Sequence, residues 1–78
     1  MKYTFVFFTH AGALQFKKKC SKNSIVCTLM PVPRKLSSNC GIGAQIEAEG
    51  KIDFLMDEEV EKVYKGEVNE AILIFENN

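Results

Sequence analysis

Lys51-Ile52-Asp53-Phe54-Leu55-Met56-Asp57-Glu58-Glu59-Val60-Glu61-Lys62-Val63-Tyr64 is the stretch on which the fold class turns. Ile52, Leu55, Met56, Val60 and Val63 recur at helical spacing, the pattern of a helix that buries one stripe. Glu58 with Lys62, and Glu61 with Lys65, are i,i+4 pairs with the acid on the N-terminal side, the favourable order. Gly66 supplies a C-terminal stop. Ile52, Phe54 and Met56 also alternate, which leaves a break near Asp57 open. The spacing as a whole predicts a helix over residues 51–64.

Working outward, residues 3–8 are β-branched and aromatic and predict a strand. Tyr3, Phe5 and Phe7 fall on one side, Val6 and Phe8 on the other, which suits a central strand covered on both faces. Thr9 is an N-cap for a helix from His10 to about Lys22. Ala13, Phe16 and Cys20 form its apolar stripe, with Leu14 beside them. Gln15, Lys18, Lys19 and Lys22 form its polar face. Residues 24–30 predict a second strand and residues 42–48 an alternating third, with Ile42, Ala44, Ile46 and Ala48 on the buried side. Residues 71–75 predict the last strand. The order β-α-β-β-α-β predicts an α+β, ferredoxin-like sandwich: one four-stranded antiparallel sheet with two helices on one face. All of residues 1–78 fall in one domain. The second sheet face stays open in that arrangement, with Val6 and Phe8 or their neighbours partly exposed. An apolar open face on a small domain predicts a homo-oligomer, most simply a dimer.

Ten Lys plus Arg balance ten Asp plus Glu, so whole-domain charge gives no support to nucleic-acid or anionic-membrane partners. The charge is unevenly spread: Lys17, Lys18, Lys19, Lys22, Arg34 and Lys35 form a basic half, and acidic residues dominate after Glu47. That split reads either as solvated faces of opposite sign or as attraction for an anionic ligand or acidic partner. The apolar run near the start is shorter than a secretion signal needs, and no stretch approaches a membrane span. A cytoplasmic protein is expected. Three cysteines without C-x-x-C or zinc spacing fit reduced thiols rather than a disulfide scaffold.

The chemistry is expected in Pro31-Val32-Pro33-Arg34-Lys35-Leu36-Ser37-Ser38-Asn39-Cys40-Gly41. The prolines fix φ and remove two backbone donors. Arg34 and Lys35 put positive charge near Cys40 in sequence, and cations lower a thiol pKa toward the nucleophilic thiolate. Ser37 and Ser38 favour a tight turn whose N–H groups cradle an anion, and Gly41 permits positive φ. Cys40 is therefore the candidate reactive residue, with Arg34, Ser37, Ser38 and Gly41 as binding residues; the plainer reading of Cys40 is a structural thiol at a strand start. Arg34 either clamps an anion or forms a surface ion pair. His10, at a strand-to-helix junction, is a base, a ligand donor or simply a helix-start residue. Cys20 and Cys27 fall on apolar faces and read as core thiols. No metal site and no cofactor are implied: phosphate-loop glycines and catalytic carboxylate spacing are both missing.

Thr9-His10-Ala11-Gly12-Ala13-Leu14 and the loop Pro31-Val32-Pro33-Arg34 through Leu36-Ser37-Ser38 to Cys40-Gly41 carry a resemblance. With them the chain resembles a family of small domains described as selenium/sulfur carrier protein-like, from about Tyr3 to the expected second helix. The resemblance implies a carrier that accepts sulfur or selenium on Cys40 as a persulfide or selenosulfide, with donor and acceptor proteins as partners. Phe16 and Lys17 replace an Ala-Glu-like pair frequent in the family, and the segment after Ala48 is longer and more acidic. The alternative is a non-catalytic module that binds a small anion or a protein and oligomerises through its open sheet face. A free-standing enzyme fits less well, since so small a domain forms only a shallow pocket.

Overall fold

β1 (Lys2–Phe7) runs through the middle of the sheet, as its two apolar faces require. In the computed structural model of the chain, residues 1–34, 41–50, 52–66 and 70–77 are described. β1 leads into α1 (His10–Lys22), and the chain continues as β2 (Cys27–Pro31) and β3 (Ile42–Glu47). A single 3₁₀ turn (Asp53–Leu55) then precedes β4 (Val60–Lys65) and β5 (Ile72–Glu76). The sheet has five strands in the order β2-β3-β1-β4-β5, and every neighbouring pair is antiparallel.

α1 forms for the reasons its sequence suggests. Thr9 is extended, and its hydroxyl accepts the Gly12 N–H at 3.0 Å, satisfying one of the free donors of the first turn. Ala13, Phe16 and Cys20 are fully buried against the sheet. Phe16 stacks at a tilt between two aromatic rings of β1, 4.5 Å from Phe5 and 5.1 Å from Phe7 between centroids, distances at which ring pairs attract beyond simple burial. Tyr3, Ala44, Ile46, Leu55, Val60 and Val63 complete this core.

The expected two-helix, four-stranded ferredoxin-like sandwich is not formed. Among the described residues the chain has one α-helix and a five-stranded sheet, and is mostly β. The second helix expected over residues 51–64 is replaced by the 3₁₀ turn and by β4. The reason is a bulge. In the β1–β4 register, Phe5 pairs with Val63 and Phe7 with Val60, so two residues of β1 span three steps of β4. An extra residue in one strand is what a bulge provides. It places Val60 and Val63 on the same buried face although three residues separate them, which imitates helical spacing. Lys62 accordingly lies across from Glu76 of β5, at 3.9 Å, instead of pairing with Glu58 along a helix. Leu55, buried from the 3₁₀ turn, fills core space that a second helix would have covered.

The second sheet face also differs from expectation. Val6 is fully buried there, packed with Val32 and Tyr64, and Ala71 lies against them. Phe8 is half-buried. The exposed large apolar side chains gather instead on β5, where Ile72, Leu73, Ile74 and Phe75 are all exposed.

Candidate functional site

The candidate loop leaves the sheet at Pro31, which pairs with Ile42 at the end of the β2–β3 ladder. One residue further, the Val32 N–H donates to the Gly41 carbonyl at 2.9 Å. That bond draws the two ends of the connection together. Val32 turns inward and is buried over Val6 and Tyr64, so it anchors the base of the loop to the sheet. Pro33 and Arg34 follow, both exposed. Gly41 has φ +67, the left-handed region that its lack of a side chain permits. Cys40, Ser37 and Ser38, together with Lys35, Leu36 and Asn39, lie outside the described residues.

Gly43 makes this anchoring possible. A Cβ at position 43 would stand 2.8 Å from the Phe5 carbonyl oxygen, 3.0 Å from Val32 Cγ1 and 3.4 Å from Val6 Cγ1. Only a residue without a side chain lets Val32 lie over the sheet here. An isolated glycine in an alternating strand signals close backbone approach, so this signal is present in the sequence.

His10 is exposed in the first turn of α1. The pairing of Val6 with Gly43, and of Gly43 with Met30, puts the β1–α1 junction and the base of the loop at the same end of the sheet. β4 begins there too, through the pairing of Phe7 with Val60. This brings in Glu59, which the sequence reading did not single out. The Phe8 N–H donates to the Glu59 carbonyl at 3.0 Å, and the Thr9 hydroxyl donates to Glu59 Oε1 at 2.7 Å. Glu59 crosses close over Gly12, where an added Cβ would lie 2.8 Å from both its Cβ and Oε1. A carboxylate at a helix N-terminus is favourable to the dipole. It also takes the position an incoming anion would use, so the start of α1 is served by the chain's own Glu59. No local pattern could have announced a partnership across fifty positions of sequence. Among the described residues, no group of three or more His, Cys, Asp and Glu side chains is arranged to hold a metal ion, and no helix is long and apolar enough to cross a membrane.

The fold unites two thiols that read separately as core residues. Cys20, near the end of α1, is fully buried, and Cys27, first residue of β2, packs against the same core. Burial, then the neighbouring Cys27, pushes the Cys20 thiol up to about 12, against a smaller opposing pull from Lys19. Burial also raises Cys27, opposed by Cys20 and by Lys17.

The folded chain therefore holds protons on these thiols that the unfolded chain releases. Stability is fully present below pH 9 and falls above it, at about 1.4 kcal/mol per pH unit for each thiol still protonated only in the fold. Urea midpoints measured on either side of pH 9 should show the fall, and Cys20→Ala should flatten it. An unchanged slope in Cys20→Ala would refute the assignment.

No curated protein and no solved structure matches the chain. A family model does match, over residues 2–67. That span runs from β1 through β4, including the Thr9-His10 junction and the whole connection between β2 and β3, and it stops short of β5. By that match the chain belongs to the Putative Se/S carrier protein-like family.

Proposed function

We propose that the chain carries sulfur or selenium on Cys40. The supporting observation is the family match over residues 2–67, which contains the loop. In loading, the Cys40 thiolate attacks the terminal chalcogen of a donor's persulfide or selenosulfide. The new bond joins Cys40 sulfur to that atom, the old bond to the donor sulfur breaks, and the donor leaves as thiolate. Transfer to an acceptor thiolate repeats the step. Arg34, Ser37, Ser38 and Gly41 are assigned to stabilising the bound anion, and His10 to positioning or deprotonation. The anchored base supports this reading, because Val32 and its bond to Gly41 hold both ends of the loop.

Incubation with a cysteine desulfurase and either cysteine or selenocysteine, followed by intact mass measurement, tests the proposal. One added sulfur or selenium is expected on the wild type and none on Cys40→Ser. No addition, or equal addition to both, overturns it.

A second reading is a non-catalytic module for a small anion or a protein that assembles with itself. The exposed apolar residues of β5 favour it. Titrating the reactivity of Cys40 in a chain lacking the other two thiols separates the readings. An apparent pKa well below the ordinary ~8.5 supports the carrier, and a value near it supports the module. Sedimentation tests the homo-oligomer directly, with a monomer at micromolar concentration counting against it.

A further inference from the structure

We propose that the groove over β4 and β5 docks a basic amphipathic helix of a partner protein. The site is independent of Cys40. Three observations carry it. The first is the width of the sheet. Strands lie about 4.8 Å apart and a helix with its side chains is about 10 Å across, so one helix covers about half of five strands. α1 packs on β1, β2 and β3. The segment expected to supply a second helix forms the 3₁₀ turn and β4 instead, so among the described residues no helix lies over β4 and β5. The second is the space this leaves. A groove of about 430 Å³ opens there, within the size range of ligand clefts. Val63, Ile74 and Phe75 line it from the sheet, and Ile52 and Met56 from either side of the 3₁₀ turn. Ile74 and Phe75 are exposed, and Ile52 and Met56 are half-buried. An apolar groove of this kind takes the anchors that a helix presents one turn apart.

The third is charge. Asp53 and Asp57 also line the groove, and no Lys, Arg or His does so among the described residues. Asp57 is already engaged: one carboxylate oxygen lies 2.9 Å from Lys19 Nζ, and the other accepts the Glu59 N–H at 2.9 Å. Asp53 is exposed at the start of the 3₁₀ turn and is the carboxylate that meets the occupant. Glu58, exposed beside Asp57, adds charge of the same sign. Cations flanking the apolar stripe of an incoming helix are attracted there, and carboxylates are repelled. A second copy of the chain fits poorly. Its own basic helix is α1, and Leu14 is the one large apolar side chain that α1 exposes. One anchor does not fill a groove lined by five apolar residues.

The experiment titrates the chain into a dye-labelled leucine–lysine amphipathic peptide of about fourteen residues, long enough to form a helix, and into its leucine–glutamate counterpart with the same apolar stripe. Fluorescence anisotropy gives the affinities, and amide shifts in nuclear magnetic resonance locate the site. The basic peptide is expected to bind at least about tenfold more tightly than the acidic one. Its shifts should centre on residues 52–57 and 74–75. Phe75→Glu and Asp53→Lys should each weaken the basic peptide by about tenfold or more. Asp53→Lys alters only an exposed side chain, so it keeps the test open if Phe75→Glu disturbs the sheet. A proline at the centre of the basic peptide should weaken it as much, because proline breaks a helix. Equal binding of the two peptides, unchanged affinity in Asp53→Lys, full affinity for the proline peptide, shifts centred elsewhere, or self-association through the groove that the basic peptide does not displace would each overturn the proposal.

Discussion

Phe16→Ala is expected to remove about 3–5 kcal/mol, a large share of the chain's stability. Phe16 is the one large apolar side chain that α1 buries fully in the sheet. It touches both Phe5 and Phe7, and those three rings hold the helix to β1. Truncating a buried Phe to Ala costs about 3–5 kcal/mol, from lost transfer energy and the cavity left behind. A domain of 78 residues has roughly 4–12 kcal/mol of total stability. The loss is therefore comparable with the lower part of that range. Neighbouring contacts offer little compensation, because a small domain buries a limited core. Urea unfolding followed by circular dichroism measures the effect. Leu14→Ala is the control: Leu14 lies on the same helix but is 56% exposed, so its removal should cost no more than about 0.5 kcal/mol. A Phe16→Ala protein within about 1 kcal/mol of wild type would show that α1 is held by something other than this ring cluster.

Gly43→Ala is expected to cost about 1–3 kcal/mol, the usual range for an added carbon in a packed interior, and to loosen the base of the candidate loop. The new carbon would meet the Phe5 carbonyl oxygen at 2.8 Å. That atom belongs to the central strand, and Gly43 is paired with its neighbour Val6, so neither strand can move away without breaking the ladder. The side chain of Val32, at 3.0 Å, would have to lift as well. Faster hydrogen exchange at the Val32 amide, which is bonded to the Gly41 carbonyl, would report the opened base. Adding Val32→Ala discriminates between the two contacts. It removes the methyl contact but not the backbone one, so it should not restore stability. Full rescue would mean that the crowding is between side chains alone.

Much of the fold was legible because its signals are local. The apolar residues of β1 lie on both faces and the strand is central; Thr9 caps α1, which spans His10–Lys22. β3 alternates as its buried row of Ala44 and Ile46 requires. Residues 51–64 misled for a definite reason. A bulge opposite Val6 and Phe7 shifts the strand period by one residue, and a shifted period of two resembles one of 3.6. No arithmetic on the segment alone distinguishes them, because the decision belongs to β1, whose second edge needed a partner. The same holds at the site. Gly43 could have been flagged from its place in an alternating strand, whereas Glu59 could not.

The sequence by itself determined the central strand, the capped helix, and a proline-bounded connection carrying Arg34 and Cys40. Each depends on contacts within a few residues or on the chemistry of single side chains. Only the tertiary structure decided that residues 60–65 are a strand, that Val32 is buried against Val6 and Tyr64, and that Cys20 and Cys27 join one core. Those outcomes depend on which surfaces remain unpaired once β1 and α1 have packed, and that competition is set by the whole chain rather than by any segment of it.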